Sequence, residues 1–249
     1  MKKTFLSFDK AILTTMVQAD NPERIKELID KSLPVGAEAF GMQFCKLKPE
    51  YRNKKVYKEL FSYTDKPVYA TNYRCGNNQG KTDEQLADEL VELADSGATL
   101  CDVMGDYFDK QPDEMARDKA AIKKQIELID RLHKKGAEVL MSSHIMKFTP
   151  AERVLEIAFE HQERGADICK IVTGADTPEQ QIENLKIITL LKQNLQMPFL
   201  FLSGGECRIL RRIGGELGCC MYLCVYEYDE LATPKQPLLE KLKVIRDNI

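Results

Sequence analysis

Residues 137–174 read AEVLMSSHIMKFTPAERVLEIAFEHQERGADICKIVTG. Two apolar runs, 138–143 and 167–173, flank an amphipathic helical stretch, which is the pattern of a strand–helix–strand unit. The first run delivers His144 at its end. The second carries Lys170 in its middle, among Ile168, Cys169, Ile171 and Val172. A short run of this kind reads as a strand covered on both faces. A lysine is costly there, because burial without a partner disfavours its charged form. One reading is a lysine that reaches the strand end or is held by a carboxylate. The other is a desolvated amine that attacks a carbonyl and forms a Schiff base. A mid-strand lysine has little room to snorkel, and His144, a proton-transfer group, sits on the preceding strand, so the second reading is preferred.

Outward from this unit, strand and helix signals alternate along the whole chain. Strands are expected at 11–17, 37–45, 67–73, 99–104, 138–143, 167–173, 197–203 and 219–226. Helices are expected at about 22–33, 49–63, 82–95, up to 135, after Thr149-Pro150, after Thr177-Pro178, and at 206–217 and 236–247. Asn21-Pro22 and the capping box from Thr82 mark two of the starts. Eight such units in 249 residues predict a single-domain α/β TIM (β/α)8 barrel over residues 1–249. No glycine fingerprint of a doubly wound sheet follows the first strand. Chemistry is then expected at the C-terminal strand ends, where Arg74, Asp102, His144, Lys170 and Ser203 fall. Strand parity puts Phe40, Met42 and Phe44 against the helices, and Gly41, Gln43 and Cys45 inside the barrel.

Composition narrows the function. A net charge of −3 and a pI near 5.8 favour neither nucleic acid nor an acidic membrane surface as partner. No apolar run has the length of a membrane span, and Asp9 and Lys10 interrupt the N-terminal apolar segment, so a cytoplasmic protein is expected. The eight cysteines form no C-x-x-C pair, which argues against zinc and for reduced thiols. Gly76–Thr82, GNNQGKT, has three residues between its glycines where a P-loop needs four, and reads as a turn and helix cap. The glycines of LSGGE, 202–206, lie where such barrels often bind anions. His133 and His161 are expected on helix surfaces. No metal-ligand cluster is visible.

These residues resemble the type I 3-dehydroquinate dehydratase family. SSHIMKFTP, 142–150, is similar to its S-x-H-x-F-x-x-T-P block, with Met146 in place of phenylalanine, and GADICKIVT, 165–173, to its G-A-D-x-x-K-I-A block. The resemblance implies a TIM barrel, commonly a homodimer, that takes a small keto carboxylate and needs no cofactor or metal. It implies that Lys170 forms an imine with the substrate ketone. His144 would remove the adjacent proton and later protonate the departing hydroxyl. By the same resemblance Arg74, Arg211, Gln236, Gln43 and Thr14 line the substrate site, with Arg211 on the carboxylate.

The chain departs from the family pattern at Gly41, Gln43 and Cys45, where the family has E-x-R-x-D, and at Asn78, Met104 and Ala232. These departures predict a native ketone that is larger or less hydroxylated, fitting the space left by Gly41, and a less well oriented His144. A class I aldolase-like enzyme on another keto acid is the alternative, on the strength of Lys170-Ile-Val-Thr-Gly174. A non-catalytic ligand sensor is disfavoured because a binder has no use for an imine.

Overall fold

The computed structural model describes residues 3–249. Eight strands, β1 Ile12–Val17, β2 Ala39–Gln43, β3 Val68–Thr71, β4 Leu100–Met104, β5 Glu138–His144, β6 Ile168–Gly174, β7 Phe199–Gly204 and β8 Met221–Cys224, form one sheet. Its order is β7-β6-β5-β4-β3-β2-β1-β8, with every neighbouring pair parallel. Helices α1 Pro22–Ser32, α2 Lys54–Ser62, α3 Asp83–Asp95, α4 Lys119–Lys134, α5 Ala151–Glu163, α6 Pro178–Asn194, α7 Leu210–Ile213 and α8 Leu239–Asp247 follow the strands in turn. This is the expected (β/α)8 barrel. It is nearly closed: the β7–β8 seam is joined by Cys220 N–H donating to Phe199 O at 2.9 Å. The Cys219 thiol supplements it, with Sγ accepting from Phe201 N–H at 3.3 Å.

Strand alternation sorts the side chains as parity requires. Phe40, Met42, Val68, Ala70, Val103 and Met141 pack outward with the helices. Ile12, Ala39, Tyr69, Leu100, Leu140 and Ile168 fill the barrel. Two residues further along three of these strands, the interior turns polar: Leu100 gives way to Asp102, Leu140 to Ser142, and Ile168 to Lys170.

Helix starts obey their local signals. Asn21 Oδ1 accepts from Arg24 N–H at 2.9 Å, and Thr82 and Gln85 form a reciprocal capping box. Other expectations need correcting. The second helix is a 3-10 turn at Pro49–Tyr51, then α2, because the Asn53 side chain caps a fresh start at Val56 N–H. The helix expected at 206–217 is only α7, since Gly214-Gly215 passes close under Tyr222: a Cβ on Gly215 would lie 2.3 Å from that ring. His161 is fully buried rather than exposed, on the inner face of α5 between Ser143 Oγ at 3.1 Å and Cys169 Sγ at 3.3 Å. His133 is exposed and pairs with Asp167. Gly41 leaves no space, because a Cβ there would meet Met16 Sδ at 2.2 Å. The interior volume expected for a larger ketone is already occupied by a thioether.

Burial, reinforced by the Arg164 charge, pushes the His161 imidazole down to about 3. The unfolded chain therefore takes up a proton that the native state refuses, and stability falls as pH drops from about 6.5 towards 3. Urea unfolding across this window should show His161→Gln losing up to about 1.4 kcal/mol per pH unit less than wild type. Parallel pH profiles for the two proteins would mean that His161 titrates normally.

Candidate active site

The site is assembled from four adjacent strands, β3 to β6. Lys170, in the middle of β6, pairs in register with Ser142 of β5. Its Nζ donates to Tyr73 Oη at 2.7 Å, Tyr69 Oη at 3.1 Å and Asp102 Oδ2 at 3.2 Å. Three acceptors match the three N–H bonds of an ammonium. Both phenols in turn donate to Asp102, Tyr73 at 2.5 Å. Ser142 Oγ donates to Asp102 Oδ1, also at 2.5 Å. Asp102 and Lys170 are both buried. Burial pushes the Asp102 carboxyl up, but the Lys170 charge and the hydrogen bonds from Ser142 and Tyr69 hold it below the ordinary carboxylate range. Burial, and then the charge of Asp102, raise both phenols well above theirs. Lys170 is thus held by a carboxylate as well as buried, and its surroundings are polar where the sixth strand alone suggested an apolar face.

His144 ends β5, its ring edge-on to Tyr73 with centroids 5.2 Å apart. Its Nδ1 lies 2.9 Å from Glu114 Oε2, which also accepts from His144 N–H at 2.6 Å. A carboxylate only accepts, so Nδ1 carries the proton and Nε2 is left as the base. Sequence reasoning missed Glu114 and expected, from departures that include Asn78, a less well oriented His144. Asn78 is instead buried, donating to Tyr73 O and Asn72 Oδ1.

The carboxylate comes from the segment 105–118 between β4 and α4. That segment folds back so tightly that a Cβ on Gly105 would meet Glu114 O at 2.5 Å. Buried Arg164 donates to Gly105 O and Ala116 O, and buried Gln125 to Gly105 O and Tyr107 O. Glu114 itself has a left-handed φ of +48°, a strained conformation for a residue with a Cβ. The length of this connection was the available signal, since long ordered loops in compact domains are usually functional.

The other expected site residues divide. Arg211 is buried, its Nε donating to Ser203 O at 2.8 Å, at the C-terminal end of β7. Among the described residues neither it nor Arg208 has an ion-pair partner. Burial and then the Arg208 charge lower the Arg211 guanidinium to about 10. Two neighbouring cations without a counter-charge suit an anion. Gln236 is buried with Oε1 unpaired, and so is Thr14 with Oγ1. Gln43 is spent on the protein: Oε1 accepts from Gln18 Nε2 at 2.5 Å, and Nε2 donates to Cys45 Sγ at 3.2 Å. Arg74 is likewise engaged, bidentate to Asp83 at 2.7 and 2.8 Å and bonded to Asp106 Oδ1 and O at 2.7 and 2.9 Å. It ties β3 to α3 and to the segment after β4, and keeps only one N–H free for a ligand. The 76–82 stretch is a 3-10 turn leading to the α3 cap, as expected. Among the described residues no group of His, Cys, Asp and Glu is arranged to hold a metal, and no helix is long and apolar enough to cross a membrane.

A (β/α)8 barrel with a lysine inside and a carboxylate-held histidine at the rim of the adjacent strand defines a class of barrel enzymes with their chemistry at one end. Within it the chain belongs to the type I 3-dehydroquinase family, whose sequence model matches residues 15–245. It is 27% identical over 237 residues to a 3-dehydroquinate dehydratase of Pyrococcus abyssi, covering 94% of this chain and 96% of that one. Two solved structures superpose over 99% of the chain. One is the type I 3-dehydroquinate dehydratase of Clostridium difficile with covalently modified comenic acid, at TM-score 0.81 and 17% identity, covering 98% of that protein. The other is the 3-dehydroquinate dehydratase of Geobacillus kaustophilus, at TM-score 0.83 and 12% identity, covering 95%.

The geometry at His144 generates a prediction independent of turnover. Nitrogen-15 spectra of the wild-type ring at neutral pH should show the Nδ1–H tautomer. Glu114→Ala should move it towards Nε2–H, the form preferred without a partner on Nδ1. An unchanged tautomer in the variant would show that another group orients the ring.

Proposed function

We propose that this protein is a Schiff-base lyase that dehydrates 3-dehydroquinate to 3-dehydroshikimate, with Lys170 as the nucleophile and His144 as the proton carrier. The observation that carries this reading is the buried Lys170 amine, fully hydrogen-bonded inside the barrel, one strand from a histidine whose Nε2 is left free. Family membership supplies the substrate.

The steps follow from these groups. Lys170 gives up one ammonium proton within its hydrogen-bond network, the neutral Nζ adds to the ketone, one N–H proton moves to the oxygen, and the released proton returns to the carbinolamine hydroxyl, which leaves as water to give the iminium. The iminium carbon draws electrons from the neighbouring C–H bond, so His144 Nε2 takes that proton and an enamine forms. The imidazolium, stabilised by Glu114, then protonates the hydroxyl on the next carbon. That C–O bond breaks, the iminium is regenerated conjugated to the new double bond, and water hydrolyses it to release product and lysine. Arg211, with Arg208 beside it, holds the substrate carboxylate. A homodimer belongs to this proposal on the resemblance alone.

A second reading, an imine-forming enzyme for another keto acid, is favoured by one feature. Met16 fills the room at Gly41 and Gln43 is bound to Gln18, so this wall offers no charged group to a ring hydroxyl. The two readings differ in which ketone is trapped. Borohydride added with 3-dehydroquinate should label Lys170, found by peptide mass mapping, and Lys170→Ala should be unlabelled and inactive. His144→Ala should still be labelled but turn over about 10²–10⁴-fold more slowly. Arg211→Ala should raise KM with less effect on kcat. Labelling by a different keto acid and not by 3-dehydroquinate would select the second reading, and no label on Lys170 with any ketone would reject both.

A further inference from the structure

The structure assigns a reversible, peroxide-sensitive disulfide site to Cys45 and Cys75 at the mouth of the barrel, linked through Gln43 and Gln18 to the connection between β8 and α8. Cys45 follows the end of β2 and Cys75 the end of β3. Both are free thiols, with Sγ atoms 3.0 Å apart. A disulfide bond is about 2.05 Å long, so a side-chain movement of about 1 Å closes it. The two loops are already fastened to each other around the sulfurs. Phe44 N–H donates to Thr71 O and Asn77 N–H to Cys45 O, both at 2.8 Å. Gly76, at a left-handed φ of +56°, lets the second loop come so near that a Cβ would meet Cys45 O at 2.5 Å. The two cysteines also differ in the way an attacking and a resolving thiol must. Cys75 is partly exposed and Cys45 is buried. The Cys45 S–H bond, then the Lys46 charge and the Gln43 amide, lower the Cys75 thiol against its partial burial. The shared proton stays on Cys45, whose thiol is pushed up by the contact with Cys75 and then by burial. In Cys101, Cys169, Cys219 and Cys224, by contrast, burial raises the thiol, which leaves it inert.

The oxidant is hydrogen peroxide. The Cys75 thiolate attacks one peroxide oxygen, the S–O bond forms and the O–O bond breaks. The departing hydroxide takes the Cys45 proton and leaves as water. The new Cys45 thiolate attacks the sulfur of the Cys75 sulfenic acid, the S–S bond forms and the S–O bond breaks. That second hydroxide takes a proton from solvent. The two sulfurs together lose two electrons, and the two peroxide oxygens gain them. A dithiol reverses the reaction by two thiol–disulfide exchanges. The consequence reaches the far side of the barrel mouth through two amides. Gln43 Nε2 donates to Cys45 Sγ at 3.2 Å and to Cys75 Sγ at 3.8 Å, while its Oε1 accepts from Gln18 Nε2. Gln18 Nε2 also donates to Thr233 Oγ1 at 2.9 Å, and its Oε1 accepts from Thr233 N–H at 2.7 Å. Thr233 O in turn accepts from Gln236 N–H at 3.1 Å. Oxidation removes the thiolate charge that holds the Gln43 amide, and charged acceptors make the stronger hydrogen bonds. The amide pair, and the backbone of Thr233 and Gln236 behind it, are loosened.

The test uses the reduced full chain, equimolar hydrogen peroxide and no substrate, so its outcome is independent of the imine reading. Peptide mass mapping without reductant should find Cys45 linked to Cys75 and the other cysteines free, and dithiothreitol should undo the link. Cys45→Ser should stop at a sulfenic acid on Cys75, trapped by dimedone, and Cys75→Ser should leave Cys45 unmodified. In the unmutated protein at neutral pH, iodoacetamide should alkylate Cys75 about tenfold faster than the comparably exposed Cys207. Hydrogen exchange at the Thr233 and Gln236 amides should speed up about tenfold in the oxidised protein and return on reduction. First oxidation at another cysteine, or an unlinked wild type together with untrapped Cys75 in Cys45→Ser, overturns the site. A linked pair with unchanged exchange at Thr233 and Gln236 overturns its coupling to that connection.

Discussion

The ion pair between Lys170 and Asp102 is the constraint on which the rest of the site depends. Both side chains are almost removed from water, at 5% and 0% exposure, and either alone would carry a desolvation cost of several kcal/mol. What makes the pair tolerable is completeness. The ammonium has three acceptors, and the carboxylate accepts from two phenols, a serine and the amine. Truncating one partner would leave the other buried and uncompensated, a loss typically of about 3–5 kcal/mol. Because the four contributing strands are adjacent and parallel, a one-residue slip in any of them would turn its polar side chain out of the barrel.

A second constraint acts from outside the barrel. His144 is useful as a base only if Nε2 is free, and that requires an acceptor fixed at Nδ1. The acceptor arrives on a loop, which is the less rigid kind of support, and the protein compensates with a buried arginine and a buried glutamine bonded to the carbonyls of that loop. The left-handed backbone of Glu114 is sustained by these anchors. Stability invested in Arg164 and Gln125 is therefore spent on orienting a ring on another element.

Much of this was legible in the sequence. A lysine in a two-faced apolar run, a histidine closing the previous run and eight alternating units specify a barrel and point to the pair proposed to carry its chemistry. What could not be read were partners that meet only across the barrel. Tyr69 and Tyr73 look like ordinary strand aromatics until β3 and β6 are folded into one interior. Arg74 reads as a free rim cation, and only the close approach of Asp83 and Asp106 shows it to be a tie between elements. His161 has charged neighbours in sequence, yet the α5 periodicity turns it inward. Glu114 failed to stand out because the motif position for its task lies elsewhere, and a carboxylate reaching the same ring from another loop leaves no motif.

The contact between Gly41 and Met16 couples two interior positions. A glycine at an interior position suggests an omission that one substitution can repair. Here the Met16 thioether of the neighbouring strand fills the position, so a side chain at Gly41 meets sulfur until Met16 moves aside or is made smaller. Shrinking Met16 first opens a hole in a packed interior, which itself is destabilising. The two positions thus share one volume across two strands, and the effect of a substitution at either depends on the residue at the other.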